Sequence, residues 1–210
     1  MLTRVKVCGI TRLEDALAAM DLGAWALGFN FYPKSPRYVS VGRAKLIIGQ
    51  VRRTAMTVGV FVNPSLADVH EVSAATGITA IQLHGDESGD FCADLAPLTV
   101  IKALRLSTAA DLEGIERYGR ADYILMDAAV PGEYGGTGQL SDWDLVVQAG
   151  MKRRLILAGG LTADNVGAAC SIAKPFAVDV ASGVEESPGK KSLKKMSAFF
   201  ASARSACESG

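Results

Sequence analysis

The sequence lacks net charge and long hydrophobic runs. Over 210 residues, 22 lysines and arginines balance 22 aspartates and glutamates. A protein that mainly binds nucleic acid usually has a basic excess, so we expect no nucleic-acid partner. The longest uncharged stretches, 54–67 and 72–85, are shorter than the ~18 apolar residues of a membrane span, so we expect no membrane partner. Charges at Arg4 and Lys6 stand where a secretory signal needs apolar residues.

Cysteine and proline are also scarce. The four cysteines, Cys8, Cys92, Cys170 and Cys207, form no CxxC pair and no spacing typical of metal ligands. We therefore expect free thiols, no metal, and a cytoplasmic protein in a reducing compartment. The 49% hydrophobic content supports a sizeable core, and the length predicts a single domain over residues 1–210. Its last residues, Ser205–Gly210, are expected to fray.

Short apolar runs recur along the chain and are separated by loops and longer segments with helical spacing. They are nearly continuous rather than alternating, which is typical of parallel strands covered on both faces. The runs are Val5–Cys8, Trp25–Phe31, Thr57–Phe61, Ala80–Leu83, Thr99–Ala103, Tyr123–Met126, Arg154–Leu157 and Ala177–Val180.

The segments between the runs carry helix signals. Capping-box pairs stand near the expected helix starts: Thr11 with Glu14, Ser65 with Asp68, Thr108 with Asp111, and Ser141 with Asp144. Eight strand–helix units in a chain of this length predict an α/β fold, a single (β/α)8 TIM barrel with a parallel eight-stranded core. An open doubly wound sheet is the alternative, but the first turn, CGIT at 8–11, has no GxGxxG pattern.

In such a barrel, chemistry gathers at the carboxyl ends of the strands. Cys8 ends the first run, and it is either a buried small hydrophobe or a thiolate that acts as base or nucleophile. Asp127 ends the sixth run. It is either a salt-bridge or capping residue, or a general acid whose pKa is raised by desolvation.

Other polar residues follow the remaining strands. Arg37 lies beside Pro33 and Pro36, and it is either a solvated loop residue or a stiffly held fork for a carboxylate. Gln82 and His84 end the fourth run, where a structural and a catalytic histidine are equally consistent with the pattern.

Glycines follow the last three strands. The segment 131–138 has the composition of a lid that shields a reaction from water. Gly159 and Gly160 follow the seventh run, and Ser182 and Gly183 follow the eighth. Because loops 7 and 8 of a barrel often cradle phosphate with backbone N–H groups, these four residues predict a phosphate site.

Motifs in these positions resemble the phosphoribosylanthranilate isomerase family over nearly the whole chain. They are VCGIT at 7–11, GFxF at 28–31 leading to SPR at 35–37, VGVFVN at 58–63, QLHG at 82–85, DA at 127–128 followed by GGTG at 135–138, LAGGL at 157–161, and DVxSGVE at 179–185. The resemblance implies an enzyme of tryptophan biosynthesis that performs an Amadori rearrangement of the aldose–ketose type. It also implies a phosphosugar–anthranilate substrate and neither cofactor nor metal.

The resemblance further implies residue roles. Cys8 would be the general base, Asp127 the general acid and Arg37 the ligand of the anthranilate carboxylate, while the phosphate would lie on the glycines of loops 7 and 8. We also place Gln82 and His84 among the substrate-binding residues. Ser141 and Ser192 depart from the family, which usually has an aromatic residue and an aspartate at these two positions.

Two alternatives stay open, namely another phosphosugar isomerase or epimerase on the same barrel and a non-catalytic barrel that binds a phosphometabolite. The sequence is equally consistent with a monomer and a homodimer.

Overall fold

The computed structural model describes residues 3–51, 54–105, 109–127 and 142–205. Eight parallel strands form a closed barrel in chain order, and β8 pairs with β1. The strands are β1 Arg4–Cys8, β2 Ala26–Asn30, β3 Met56–Phe61, β4 Ala80–Leu83, β5 Thr99–Leu104, β6 Tyr123–Asp127, β7 Leu155–Ala158 and β8 Ala177–Val180. The predicted (β/α)8 barrel is confirmed, and each strand overlaps its predicted apolar run.

Helices follow the strands and cover the outside of the barrel. They are α1 Leu13–Asp21, α2 Val41–Val51, α3 Leu66–Thr76, α4 Gly89–Asp94, α5 Ala109–Gly114, α6 Asp142–Lys152, α7 Val166–Ala173 and α8 Leu193–Ser205. Short 3₁₀ turns at Ile115–Tyr118 and Ser182–Val184 follow α5 and β8. A small antiparallel pair, β9 Glu185–Ser187 and β10 Lys190–Lys191, precedes α8. Within the described ranges, no helix is long and apolar enough to cross a membrane.

The apolar core has two layers because successive side chains of a strand point to opposite faces. The larger layer lies between strands and helices, and a smaller cluster, which includes Ala26, Ala80 and Leu125, fills the barrel interior. At the amino-terminal end of the strands, the rings of Trp25, Tyr123 and Phe176 pack edge-on or tilted, with centroids 5.1–5.6 Å apart. These rings close that end of the interior, so a ligand enters from the other end.

Helix starts agree in part with the predicted capping boxes. Ser65 and Asp68 form the predicted reciprocal box at α3. The prediction for Thr11 is wrong, since α1 has no side-chain cap and the Thr11 hydroxyl donates instead to the carbonyl of Gly189, at 2.5 Å. Thr108 and Ser141 lie outside the described residues. Ser205 is the last residue of α8, and 206–210 lie outside the described part of the chain, so the expected fraying stays a prediction.

Candidate active site

Strand alternation places Lys6 and Cys8 on the inner face of β1. Lys6 pairs in register with Ala26 on β2 and with Asp179 on β8, so the side chains of all three share the interior. The Lys6 ammonium donates to Asp179 Oδ1 at 2.9 Å, and the Lys6 side chain is fully buried. A Cβ added to Gly28 on β2 would lie 2.7 Å from Cys8 Sγ and 3.2 Å from Lys6 Nζ. The thiol and the ammonium therefore occupy the same small space that glycine leaves open.

The ionisation of Cys8 is set by opposing effects. Burial raises the pKa of the thiol above its ordinary value, and the charge of Asp179 acts in the same direction. The positive charges of Lys6 and Lys191 oppose this rise by favouring the thiolate. Lys6 stays charged, because Asp179 and Cys8 outweigh the effect of burial and raise the pKa of its ammonium. Cys8 is thus a thiol with a raised pKa that lies among charged groups.

Asp127 is the last residue of β6 and faces the same opening. It lies two residues after Leu125, which belongs to the interior cluster, and pairs in register with Ala158 of that cluster. The Asp127 side chain is exposed among the described residues, so the apolar burial that we expected for it is absent there. The predicted glycine-rich lid at 131–138 lies outside the described part of the chain.

Gln82 and His84 form a pair at the end of β4. Gln82 Nε2 lies 3.0 Å from His84 Nδ1, and Gln82 Oε1 is buried with no hydrogen-bond partner among the described residues. Burial lowers the pKa of His84, although the negative charges of Asp127 and Asp179 act against this effect. The imidazole is therefore neutral near pH 7 and faces the same carboxylates that surround the opening.

A buried ion pair fixes the loop that carries His84. Lys102 on β5 donates to the Gly85 carbonyl at 2.6 Å and to Glu87 at 2.9 Å. The Glu87 carboxylate also accepts from the backbone N–H of Asn63 at 2.8 Å and from that of Gly85. These contacts join the loops after β3 and β4 at the opening.

Arg37 lies at the same opening, but its guanidinium already donates hydrogen bonds within the protein. Its Nε and Nη2 donate to the carboxylate of Glu185 on β9 at 2.8–3.1 Å. The stem of Arg37 lies across Gly9, where an added Cβ would be 2.5 Å from Arg37 Cδ. Gly9 also has φ +77°, a conformation that favours glycine. The turn after Cys8 therefore needs glycine both for its backbone and to let Arg37 pass.

Three of the four residues predicted to bind phosphate meet at one cavity, and Gly159 is not part of its lining. Gly160, Ser182 and Gly183 line a space of about 670 Å³, which Lys194 and Lys195 also line. Gly159 and Gly160 have φ of 96° and 57°, and Gly183 has no room for a Cβ because it would overlap the carbonyl of Leu161. Loops 7 and 8 are thus packed backbone to backbone at the rim.

Ser192 takes over the capping position of α8. Its hydroxyl accepts from the N–H of Lys195 at 3.4 Å, and Ser192 itself lines the same cavity. The departure at Ser192 therefore leaves the start of α8 capped.

Sequence reasoning missed Lys6, Asp179, Glu185 and Lys191. A lysine or an aspartate within an apolar strand is a weak sign of a polar site, because a buried charge needs an oppositely charged partner nearby. The partner of Lys6 lies 173 positions away and is adjacent because the barrel closes. Across the described ranges, no group of three or more His, Cys, Asp and Glu side chains is arranged to hold a metal ion.

Comparisons with known proteins point to one family. A family model described as N-(5'-phosphoribosyl)anthranilate (PRA) isomerase matches residues 5–202. The chain is 47% identical over 197 residues to N-(5'-phosphoribosyl)anthranilate isomerase of Pelobacter propionicus, which covers 94% of this chain and 93% of that protein.

Solved structures are similar over nearly the whole chain. Phosphoribosyl anthranilate isomerase from Thermotoga maritima superposes with a TM-score of 0.87 at 42% identity, covering 97% of this chain and 100% of that one. A phosphoribosyl anthranilate isomerase in complex with reduced 1-(o-carboxyphenylamino)-1-deoxyribulose 5-phosphate gives a TM-score of 0.87 at 39% identity, with the same coverage. The barrel, its polar opening and these matches together show that the chain belongs to the N-(5'-phosphoribosyl)anthranilate isomerase family.

Proposed function

We propose that Cys8 and Asp127 are the general base and the general acid of an N-(5-phosphoribosyl)anthranilate isomerase. The activity is that of the family, an isomerase of tryptophan biosynthesis. The assignment of the two residues rests on one observation. Cys8 and Asp127 end β1 and β6 on the inner face of the same barrel, so both project into one opening. A sugar bound in that opening has a proton donor and a proton acceptor on different strands.

The acid acts first. Asp127 protonates the ring oxygen of the furanose, the bond between C1 and that oxygen breaks, and the nitrogen lone pair forms an iminium, a protonated imine, with C1. The exposed Asp127 carboxyl group can exchange its proton with solvent before the next turnover.

The base acts next. The Cys8 thiolate removes the proton from C2, and the C2 electrons shift toward C1 and nitrogen to give an enolamine. This species tautomerises to the ketone 1-(2-carboxyphenylamino)-1-deoxyribulose 5-phosphate. Oxidation at C2 balances reduction at C1 within one molecule, so the rearrangement calls for no external redox cofactor. The charge of Lys6 favours the thiolate form that this step requires.

The remaining residues hold the two ends of the substrate. Arg37 would bind the anthranilate carboxylate, and the cavity of Gly160, Ser182 and Gly183 would take the phosphate, with Gly159 shaping the turn that leads into it. The sugar would lie between the carboxylate and phosphate sites, where Gln82 and His84 would contact it. His84 is a neutral imidazole at the opening, so it can exchange hydrogen bonds with the sugar. We further propose that the enzyme acts in the cytoplasm as a monomer or homodimer, and sedimentation at micromolar concentration tests the oligomeric state.

Turnover of N-(5-phosphoribosyl)anthranilate, followed by the decay of its fluorescence, tests the assignment. Cys8→Ala and Asp127→Asn are each expected to lower kcat by about 10² to 10⁴, the usual contribution of a general acid or base. Cys92→Ala and Asp86→Asn are matched controls, since Cys92 is a core thiol and Asp86 an exposed carboxylate at the same end of the barrel. Retention of kcat in either active-site variant, with the fold intact, would contradict the role of that residue.

A further inference from the structure

The Glu185 carboxylate is shared by two cations at the opening. It accepts from Nε and Nη2 of Arg37, from Lys191 Nζ at 2.8 Å and from the backbone N–H of Gly189 at 3.2 Å. Only about 5% of the Glu185 side chain is exposed. Burial would raise the pKa of Glu185, but the hydrogen bonds from Arg37 and Lys191 outweigh it and hold that pKa below its ordinary value. Glu185 is therefore charged and fully engaged.

The contact with Glu185 uses one edge of the Arg37 guanidinium. Nε and Nη2 form the side edge, and Nη1 takes no part in the hydrogen bonds that Arg37 makes within the described residues. A guanidinium carries five N–H groups in a planar fork, so the end edge of Nη1 and Nη2 can still grip a second carboxylate. The exposed fraction of the Arg37 side chain, 23%, leaves it accessible from the opening.

The charges around Glu185 do not cancel. Arg37 and Lys191 pair with the Glu185 carboxylate, Lys195 donates to the Glu185 carbonyl at 2.7 Å, and the Asp15 carboxylate accepts from the Lys191 backbone N–H at 3.0 Å. Three positive charges thus stand against two negative charges, which leaves an excess of one positive charge. A ligand with one carboxylate balances that excess. Lys191 also donates to the Cys8 carbonyl at 2.6 Å, so the same network reaches the strand end that carries the proposed base.

We propose that Glu185 is a positioning residue that turns the end edge of Arg37 toward the substrate and thereby makes the enzyme select aryl amines with an ortho carboxylate. The proposal rests on the function proposed above for Arg37. It adds that the orientation of the guanidinium, and not its charge alone, determines the selectivity.

Two substrates test the proposal, N-(5-phosphoribosyl)anthranilate and the matching aniline adduct, each made from ribose 5-phosphate and the amine. Glu185→Gln is expected to lower kcat/KM for the anthranilate substrate at least about tenfold, mainly through KM, the loss typical of a charge-assisted hydrogen bond. The aniline adduct has no carboxylate, so its kcat/KM is expected to change by less than about twofold. Glu186→Gln is the matched control, because Glu186 is an exposed neighbour that pairs with Lys190.

Arg37→Lys is a second variant that keeps the positive charge but cannot offer two edges. We expect it to show the same selective loss, which tests the geometry of the guanidinium. Glu185→Asp, which keeps the negative charge but withdraws the carboxylate from Arg37, is expected to show a selective loss as well and carries the test of Glu185 if Glu185→Gln fails to fold. Wild-type selectivity in any of these folded variants, or an equal loss on both substrates, would overturn the proposal. Arg37→Gln separates the positioning role proposed for Glu185 from the carboxylate-binding role proposed for Arg37. A selective loss in Arg37→Gln without one in Glu185→Gln removes the role of Glu185 alone, whereas no selective loss in Arg37→Gln removes the proposed role of Arg37 as well.

Discussion

Replacing Lys6 by methionine is expected to raise the pKa of the Cys8 thiol and to slow isomerisation at neutral pH. Methionine keeps most of the apolar stem but removes the ammonium that lies beside Cys8 Sγ and holds Asp179 at 2.9 Å. The thiolate then loses a nearby positive charge and faces a carboxylate that is no longer neutralised. Both changes favour the thiol, which cannot act as the base.

The size of the shift follows from Coulomb's law. Two unit charges about 4 Å apart interact by about 4 kcal/mol at an effective dielectric constant of about 20. Solvent at the opening screens part of this, so the thiolate is expected to lose about 1.4 to 4 kcal/mol of stabilisation and its population to fall by about 10 to 10³. Below the thiol pKa, kcat/KM follows the thiolate fraction and is expected to fall by the same factor of about 10 to 10³. Asp179→Asn is expected to lower the thiol pKa instead.

Alkylation by iodoacetamide tests this shift, because the thiolate is the form that reacts. At a fixed pH between about 7 and about 9, below the raised pKa of the thiol, the rate at Cys8 is proportional to the thiolate fraction; mass spectrometry of its peptide follows that rate, and buried Cys92 reports any loss of fold. The double variant Lys6→Met with Asp179→Asn leaves no unpaired buried charge, and its rate is expected between those of the wild type and Lys6→Met. A rate in Lys6→Met at or above the wild-type value would refute the reasoning.

Three further predictions concern other parts of the molecule. Gly9→Ala is expected to raise KM and lower Tm, because the added Cβ meets Arg37 Cδ at 2.5 Å on a backbone with φ +77°; unchanged kinetics would contradict this. Ser65→Ala breaks the capping box of α3 and is expected to lower the free energy of unfolding by about 1 kcal/mol in a urea titration, with wild-type activity retained. The pKa of Glu185 lies below its ordinary 4.5, so its contribution to stability is complete above the unfolded-state value and is lost as pH falls through the folded-state value. Urea unfolding between about pH 5 and about pH 3 is therefore expected to show a shallower loss of stability in Glu185→Gln than in the wild type.

Sequence patterns predicted the barrel well because its strands are covered on both faces. Nearly continuous apolar runs such as Ala80–Leu83 and Ala177–Val180, each interrupted by one polar residue, match the observed strands. Local signals were less reliable at helix starts. Thr11 has the sequence of a cap, yet its hydroxyl donates to Gly189, which lies in another loop. A long-range hydrogen bond outweighs a local preference there, and sequence spacing does not reveal it.

The same limit applies to the site. Cys8, Asp127 and Arg37 could be named because each follows a strand and matches a motif. The charged partners of these residues could not be named from the sequence. Lys6 contacts Asp179 only because the barrel closes, and Arg37 contacts Glu185, which lies 148 positions away. Which charges neutralise one another inside a barrel depends on strand register, and the register appears only in three dimensions.

Gly28 offers a way to silence the enzyme while every reactive side chain keeps its chemical identity. Its backbone is ordinary strand, so alanine suits its conformation, and the obstacle to a methyl group is Cys8 Sγ at 2.7 Å. Gly28→Ala would push the thiol aside without altering Arg37, Asp127 or the phosphate cavity. Such a variant is expected to bind the substrate while turning it over slowly, so calorimetry could measure affinity for a labile molecule that the wild type consumes.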